Sequence, residues 1–183
     1  KRVGYLAQGA SGFRTMSVED NIMTVLEMKY KSTEGQREHL ERLLDEFNLQ
    51  KVRKNKGNQL SGGERRRCEI ARCLAIDPKF IMLDEPFAGV DPIAVEDIQY
   101  VVWKLKDRNI GILITDHNVQ ETLCITDRAY LLFEGRILFK GTPTELANNV
   151  IVREKYLGSN FALRPKDFQM IEEKKKREQE EAN

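Results

Sequence analysis

The sequence has 183 residues, 40% of them hydrophobic and 32% charged, which suffices for one domain with a sizeable core. A formal net charge of +1 at pH 7 gives no overall field that would favour nucleic acid or an acidic membrane surface. Three cysteines, with no C-x-x-C pair, argue against a disulfide framework or a zinc site and favour reduced thiols in a cytosolic protein. No apolar run approaches the roughly 20 residues that a bilayer crossing needs.

The first part of the sequence predicts one strand followed by three helices. Arg2–Leu6 predicts a short strand that runs into a turn-rich loop. Ser17 begins a helix, because its hydroxyl can cap free backbone N–H groups. Leucines at helical spacing within 40–47 predict a second helix, and the polar, basic segment 51–59 predicts a loop. Ser61 begins the third helix.

The second part alternates strands and helices. Phe80–Leu83 and Ile110–Ile114 are short, continuous apolar runs, typical of strands buried on both faces in parallel sheets. Val95–Lys106 predicts a helix between them. The pair Glu134–Gly135 predicts the turn of a hairpin. The other predicted elements are a helix over 120–124, hairpin strands over 129–133 and 136–139, and short helices over 142–147 and 150–157.

This order of elements predicts an α/β domain over residues 1–164. Helices come first and alternation follows, so a small helical subdomain, about residues 14–77, is expected to be inserted in a parallel sheet. From Pro165 the sequence is dense in charges of both signs. Residues 165–183 are therefore predicted to be a charged tail, either a frayed helix or a disordered segment that serves solvation.

Two carboxylates follow the first buried run, in the segment FIMLDEP. Ligands of open α/β sheets bind at the carboxyl ends of strands, where Asp84 and Glu85 are expected to lie. One carboxylate could hold a water of magnesium bound to nucleotide phosphates, and the other could orient or deprotonate an attacking water. A strand end that happens to be acidic is the alternative, because this pattern alone is only moderately specific.

The segment LSGGERRR begins the third helix. A helix N-terminus offers unpaired N–H groups and a partial positive charge, and glycine lets the backbone approach closely, so Ser61, Gly62 and Gly63 suit a phosphate. For Ser-Gly-Gly alone, a helix cap after a flexible turn would be the better interpretation. Glu64 and the Arg65–Arg67 run follow directly, with FIMLDEP soon after, and together they favour the phosphate interpretation. The Arg65–Arg67 run is expected to be a solvated helix face with salt bridges, with nucleic-acid contact a minor alternative.

Two further polar side chains follow the neighbouring strands. His117 comes after the 110–114 strand, where a neutral imidazole could reach a γ-phosphate, although a lone histidine is more often a structural hydrogen-bonding group. Gln8 ends the first strand and begins a mobile-looking loop. Its amide could ligate magnesium or the attacking water, whereas an isolated glutamine is usually polar surface.

In this order, these segments resemble the motifs of the ATP-binding-cassette (ABC) ATPases. Gln8 resembles the Q-loop glutamine and His117 the switch histidine. Leu60–Glu64 resembles the signature motif, Ile81–Glu85 the Walker B strand, and Ala88–Asp91 the D-loop. The resemblance covers nearly the whole chain except the charged tail. It implies a partial P-loop NTPase-like ABC ATPase fold, with a parallel sheet core and an inserted α-helical subdomain.

Longer segments are similar to the ATPases of lipopolysaccharide-export transporters. They are SGFRTMSVEDNIM, LSGGERRRCEIARCLA, DEPFAGVDPIAVEDI, ITDHNVQETL, RAYLLFEGRILFKGTPTEL and KYLGSNF. The ATPases of branched-chain amino-acid importers share DEP.AG and YLG-type endings and are the nearest alternative, but ITDHNV and ERRR favour lipopolysaccharide export. Soluble ABC proteins that act on ribosomes or DNA carry two cassettes or long coiled coils, and the sequence shows one signature motif and no sustained heptads. Glu85 and His117 argue against a non-catalytic regulatory cassette.

The resemblance implies roles for the strand-end residues in a site that binds ATP and Mg²⁺. Asp84 would hold magnesium, and Glu85 would be the general base for the attacking water. His117 would stabilise the γ-phosphate. Gln8 would contact magnesium and relay closure of the site to the membrane subunits of the transporter.

The resemblance also implies partners. Two copies would form a head-to-tail pair, in which Ser61–Glu64 bind the ATP held by the other copy and Asp91 communicates between the copies. Phe13 and Arg14 would line the groove that receives a coupling helix from the transmembrane subunits, although Phe13 could equally be subdomain core. The protein would be cytoplasmic, peripheral on the inner membrane, with no nucleic-acid partner.

One motif that the family needs is absent from the sequence. No GxxxxGK[ST] segment is present, and its Gly-rich loop and Lys grip the β- and γ-phosphates. The aromatic residue that stacks on adenine is also expected upstream. We therefore expect that the N-terminal part of the domain lies outside this chain, and that the chain alone has no ATPase activity.

Overall fold

The computed structural model describes residues 2–9, 11–158 and 160–181. The strands are β1 Val3–Leu6, β2 Phe80–Asp84, β3 Gly111–Thr115, β4 Ala129–Phe133 and β5 Arg136–Gly141. The helices are α1 Val18–Lys29, α2 Thr33–Glu46, α3 Gly62–Leu74, α4 Pro92–Asp107, α5 Val119–Leu123, α6 Pro143–Asn148, α7 Val150–Val152 and α8 Phe168–Glu181. Residues 1–117 and 118–183 form two compact units. The predicted boundary after residue 164 stays a prediction.

The first unit is built on a parallel sheet with the strand order β1-β2-β3. Leu6 pairs with Leu83, and Leu83 pairs in turn with Ile114, so the carboxyl ends of all three strands lie at one edge. The predicted parallel arrangement is confirmed. Residues that follow the three strands are thereby brought together, although they are far apart in sequence.

One face of this sheet is buried and the other is not. Ile81 and Leu83 of β2 are fully buried, whereas Phe80 and Met82 are 38% and 39% exposed. The prediction that β2 is buried on both faces was therefore wrong. Side chains alternate along a strand, and α3 covers the buried side, where the Cys73 thiol donates to the Tyr5 carbonyl oxygen at 3.2 Å.

The helices α1 and α2 form a small apolar core with α3. The predicted start of α1 is confirmed, since Ser17 Oγ accepts a hydrogen bond from the Asp20 N–H at 3.1 Å. Its buried Ile22 and Leu26 lie one turn apart, as the helical spacing predicted. The segment 51–59 is not a plain loop, because it contains two short 3₁₀ turns whose i to i+3 bonds fix the backbone locally.

The helix α4 begins earlier than predicted. It starts at Pro92 rather than Val95, because Asp91 caps it and proline is well suited to the first helical turn. α4 lies so close to α3 that a Cβ atom added to Gly63 would be 2.4 Å from Ala94 Cβ. Gly63 is therefore needed for the contact between these two helices.

The second unit contains the predicted hairpin of β4 and β5, which is antiparallel. Glu134 and Gly135 both have positive φ, 48° and 74°, as a tight two-residue hairpin turn requires. A small core packs beneath the hairpin and consists of Leu123, Leu131, Leu146 and Val152. α8 forms the part of the charged tail over 168–181, so the helical alternative holds there.

The three thiols are free, as predicted. Burial raises the pKa of Cys68 to about 12 and that of Cys73 to about 11, and burial also raises the pKa of Cys124. In the described ranges, no helix has the length and apolar character needed to cross a bilayer.

Candidate functional site

Three predicted site residues meet at the carboxyl edge of the sheet. Gln8 lies two residues beyond β1, Glu85 directly follows β2, and His117 lies two residues beyond β3. Gln8 Nε2 donates to Glu85 Oε2 at 2.7 Å, and His117 Nδ1 lies 3.6 Å from the same oxygen. The parallel topology therefore assembles an amide, a carboxylate and an imidazole at one point.

Asp84 is oriented by a strand on each side. Thr115 Oγ1 of β3 donates to Asp84 Oδ1 at 2.6 Å, and the Tyr5 hydroxyl of β1 lies 3.4 Å from Asp84 Oδ2. The sequence alone did not single out Thr115 or Tyr5. The strand register is the signal that finds Thr115, because Asp84 pairs with it across the sheet.

The backbone of Glu85 is unusual for a residue with a side chain. Its φ is +44°, in the left-handed region, which costs about 1–3 kcal/mol and persists only where neighbouring groups fix it. The Glu85 N–H donates to the Thr115 carbonyl oxygen at 2.7 Å. In the turn that follows β2, the Phe87 N–H donates a hydrogen bond to the Asp116 carboxylate at 3.3 Å. Strain of this kind is common at functional sites.

The Glu85 and His117 side chains remain open to solvent. The His117 side chain is 72% exposed and that of Glu85 is 29% exposed, whereas that of Asp116 is fully buried. Asp116 thus holds the turn, and the neighbouring His117 is available to a ligand. A carboxylate next to an imidazole can accept a proton from water while the imidazole contacts an anion.

The signature segment has a complete local structure of its own. The Ser61 hydroxyl accepts from the Glu64 N–H at 3.3 Å, and the Glu64 carboxylate accepts from the Ser61 N–H at 2.8 Å. This capping box satisfies two backbone donors at the start of α3. The helix-cap interpretation is therefore confirmed, and the phosphate-binding role of Ser61, Gly62, Gly63 and Glu64 stays a prediction.

Asp91 also has a local role. Its carboxylate accepts from the Ala94 N–H at 3.0 Å and caps α4. The loop before it passes close to the signature segment, since a Cβ atom on Gly62 would lie 3.1 Å from the Gly89 carbonyl oxygen. Communication between two copies through Asp91 stays a prediction.

The arginine run is not a solvated face. Arg66 is only 6% exposed, and the Arg67 side chain is 13% exposed and pairs with Asp97 at 3.3 Å. The prediction of salt bridges is confirmed, and the prediction of solvation was wrong. The physical reason is that Arg66 lies on the same face of α3 as Gly63 and Ile70, and this face of the helix is buried.

The two residues proposed to contact a membrane subunit lie at the surface. Phe13 is 50% exposed, so the alternative that it belongs to the subdomain core was wrong. Its backbone is fixed by Asn21, which accepts from the Phe13 N–H at 2.8 Å and donates to its carbonyl oxygen at 2.9 Å. The Arg72 guanidinium lies 5.1 Å from the centre of the Phe13 ring. Arg14 is exposed beside it.

The oxygen atoms at the sheet edge fit magnesium. Asp84, Glu85 and Gln8 supply carboxylate and amide oxygens, which are hard ligands of the kind that Mg²⁺ prefers. The described residues include no cluster of three or more His, Cys, Asp or Glu side chains that would hold a metal alone. Magnesium that is bound through one or two carboxylates together with phosphate oxygens does not need such a cluster.

Comparisons with known proteins agree with this arrangement. Residues 1–88 match the family model described as ABC transporter. The chain is 52% identical over 162 residues to the lipopolysaccharide export system ATP-binding protein LptB of Haemophilus influenzae, and the alignment covers 88% of this chain and 67% of LptB. The chain belongs to the ATP-binding subunits of ABC transporters. Members of this family are ATP hydrolases.

Two solved structures that resemble this chain are ABC cassettes. The ADP conformation of MJ1267, a cassette of an ABC transporter, has a TM-score of 0.71 and 28% identity over 86% of this chain and 68% of that one. The dimeric cassette MJ0796 bound to ADP and Pi has a TM-score of 0.69 and 25% identity over 78% of this chain and 63% of that one. The predicted ABC ATPase fold is confirmed. The chain spans about two thirds of the length of these relatives.

Proposed function

We propose that the intact ABC subunit hydrolyses ATP to power the export of lipopolysaccharide from the inner membrane. The observation that carries the catalytic part is the contact of Gln8 with Glu85 at 2.7 Å, beside His117, at the carboxyl edge of a parallel sheet. The identity of 52% with an export-system LptB supports the choice of substrate. The ATPase itself need not touch that substrate.

Glu85 is the general base in this proposal. Its Oε2 atom accepts a hydrogen bond from the Gln8 side-chain amide. The carboxylate can take a proton from a water placed between it and the γ-phosphate of ATP. The Gln8 amide keeps the carboxylate in position and contacts the same water. The exposed His117 imidazole donates to the γ-phosphate as negative charge develops there.

Asp84 and Gln8 would hold Mg²⁺ with the phosphates of ATP. When bound, magnesium neutralises charge on the β- and γ-phosphate oxygens. Thr115 and Tyr5 keep the Asp84 carboxylate pointed towards the edge of the sheet. Their hydrogen bonds explain how a carboxylate on a strand end stays oriented before any ligand arrives.

A second copy of the subunit completes each site in this proposal. The related cassette MJ0796 is dimeric. The first turn of α3 suits the ATP of the partner copy, because Ser61 and Gly62 are exposed and the Ser61 hydroxyl, which accepts one bond in the cap, can still donate to a phosphate. Asp91, at the start of α4, would report the state of one site to the other.

Transmembrane subunits are the other proposed partners. Phe13 and Arg14 form an exposed pair whose backbone is held in place by Asn21 and Asn58, which makes a firm surface for a coupling helix. The intact subunit would lie on the cytoplasmic face of the inner membrane. The chain of 183 residues by itself is expected to show no ATP turnover, because its sequence has no GxxxxGK[ST] segment.

Reconstitution tests the proposed function. The intact subunit is purified with the membrane proteins that co-purify with it, and ATP hydrolysis is measured in proteoliposomes with and without lipopolysaccharide. Stimulation by lipopolysaccharide is expected. Stimulation instead by a branched-chain amino acid with its binding protein would favour the importer alternative, and co-purification with ribosomes or DNA would contradict both transport assignments.

A further inference from the structure

A buried ion pair lies in the middle of α3, between the signature segment and the sheet. Arg66 is 6% exposed and Glu69 is 3% exposed. Arg66 Nη1 donates to Glu69 Oε2 at 3.2 Å. Charges so deeply buried are stable only when their other hydrogen-bonding groups are also satisfied, so the partners of this pair show what it holds in place.

All five N–H groups of the Arg66 guanidinium have an acceptor. One is Glu69, and the other four are backbone carbonyl oxygens. Nη1 donates to Ala7 at 2.8 Å, Nη2 to Asp84 at 2.8 Å and to Glu85 at 2.9 Å, and Nε to Pro86 at 3.2 Å. The guanidinium therefore joins the end of β1 to the turn that follows β2.

Glu69 holds the segment on the other side of Gln8. Its Oε1 atom accepts from the Ser11 N–H at 2.8 Å and lies 3.4 Å from the Gly12 N–H. The loop that carries Gln8 is thus fixed before it, through the Ala7 carbonyl, and after it, through Ser11.

The same pair holds the strained backbone of Glu85. A residue with φ of +44° needs neighbours that fix its peptide groups. Its N–H donates to the Thr115 carbonyl at 2.7 Å, and its own carbonyl accepts from Arg66 at 2.9 Å. In this conformation the Glu85 side chain turns to the Gln8 amide.

We propose that the Arg66–Glu69 pair is a positioning element of the hydrolytic site, which sets Gln8 and Glu85 at their working separation. The proposal rests on the role of Glu85 as the base. Neither Arg66 nor Glu69 touches nucleotide in this proposal. Because α3 also carries Ser61 at its start, one helix would present the signature to the partner copy's ATP and hold the base of its own copy.

Substitutions that keep charge or size separate positioning from plain stability. Arg66→Lys keeps the positive charge but has three donors at a single point, so it cannot reach all four carbonyls. Glu69→Gln keeps the shape of the side chain. Its amide N–H₂ group would face a donor, either Arg66 or the Ser11 N–H, so one of these two hydrogen bonds would be lost. Both variants are made in the intact subunit, and kcat, KM, ATP affinity and the thermal midpoint are measured.

The expected result is a fall in kcat of roughly 10- to 100-fold, because misplacing a catalytic group by about 1 Å is enough for such a loss. The KM and the dissociation constant for ATP should change by less than about threefold. The matched controls are Arg108→Lys and Glu46→Gln, which alter an ion pair elsewhere in the same unit, and they should leave kcat unchanged.

A double substitution tests whether the pair acts through Glu85. Arg66→Lys combined with Glu85→Gln should reduce residual turnover no further than Glu85→Gln alone, because residues that act as a unit are not additive. A kcat at the wild-type level in both pair variants would overturn the proposal. So would equal losses of kcat and ATP affinity, or a kcat loss that multiplies fully with Glu85→Gln.

These variants distinguish failure of the proposed base role from failure of the proposed positioning role. If Glu85→Gln itself leaves turnover intact, the proposed role of the base fails. If Glu85→Gln abolishes turnover and the pair variants behave as wild type, only the positioning role fails. Should Arg66→Lys melt below the assay temperature, Glu69→Gln gives the same readout through the Ser11 side of the pair.

Discussion

The carboxyl edge of the sheet and the first turn of α3 both carry ABC motifs, but their side chains have different partners. At the sheet edge, Gln8, Glu85 and His117 follow three separate strands, and both Gln8 and His117 lie next to the Glu85 carboxylate. At the start of α3, Ser61 and Glu64 bond to each other's backbone within a single turn. One region is a site assembled by the fold of one chain. The other is a stable surface, which we propose serves a ligand held elsewhere.

The largest change in activity is expected when variants of the two regions are combined in mixed dimers. The two substitutions are placed either in different copies or in the same copy. Ser61→Asp keeps a good helix cap but sets a negative charge against a phosphate. In a mixed dimer of intact subunits, Ser61→Asp in one copy and Glu85→Gln in the other should leave one site whole and roughly half of the ATPase activity. Both substitutions in one copy, opposite a wild-type copy, should disable both sites.

The measurement is the ATPase rate of purified mixed dimers carrying two different affinity tags. Ser61→Thr is the control, because threonine keeps the hydroxyl, also caps helices and adds no charge. Equal rates for the two arrangements would contradict the proposal that the signature segment serves the other copy.

A smaller effect concerns the packing role of the signature glycine. Gly63→Ala should destabilise the protein by about 1–3 kcal/mol, because the new Cβ would lie 2.4 Å from Ala94 Cβ. Ala94→Gly should relieve this clash at a cost of about 0.5–1 kcal/mol for glycine in a helix. Urea unfolding of the two single variants and the double variant measures the coupling. Unchanged stability in Gly63→Ala would show that this glycine is needed only for a ligand.

The sheet-edge site could be predicted from sequence because strand ends are easy to recognise. Apolar runs marked β2 and β3, and parallel strands bring the residues after them to one edge, so Asp84, Glu85 and His117 followed directly. Gln8 was a weaker prediction, since a lone glutamine carries little signal. Its contact with Glu85 depends on β1 lying next to β2, which only the three-dimensional pairing supplies.

Other features could not be predicted because burial depends on partners distant in sequence. Three consecutive arginines suggest a solvated surface, yet Arg66 is buried because four backbone carbonyls from two segments accept its N–H groups. Phe80 and Met82 show the opposite difference, since they were predicted to be buried and are partly exposed. An apolar strand predicts burial on both faces, but which faces are covered depends on the helices that pack there.

A still smaller effect concerns α3, which carries the buried thiol of Cys68 and the half-buried thiol of Cys73. Burial raises the pKa of Cys68 to about 12 and that of Cys73 to about 11, from an ordinary value of 9.0. The folded protein keeps these protons at pH values where the unfolded chain loses them. Their contribution to stability is therefore complete below about pH 9 and declines as the pH rises towards 11 to 12.

Urea unfolding between about pH 8 and pH 10 checks this thiol linkage. The wild-type free energy of unfolding should fall more steeply with pH than that of the Cys68→Ala, Cys73→Ala double variant. Parallel pH dependences of the two proteins would mean that the thiols are not as buried as the structure places them.

We propose that Glu85, held against Gln8 at the sheet edge, is the base for ATP hydrolysis. The most direct test measures ATP affinity and turnover of the intact subunit with Glu85→Gln, a change that keeps the shape of the side chain. ATP binding should stay within about twofold of wild type, and turnover should fall by roughly 10²- to 10⁴-fold. Loss of ATP binding, or turnover close to the wild-type rate, would contradict it.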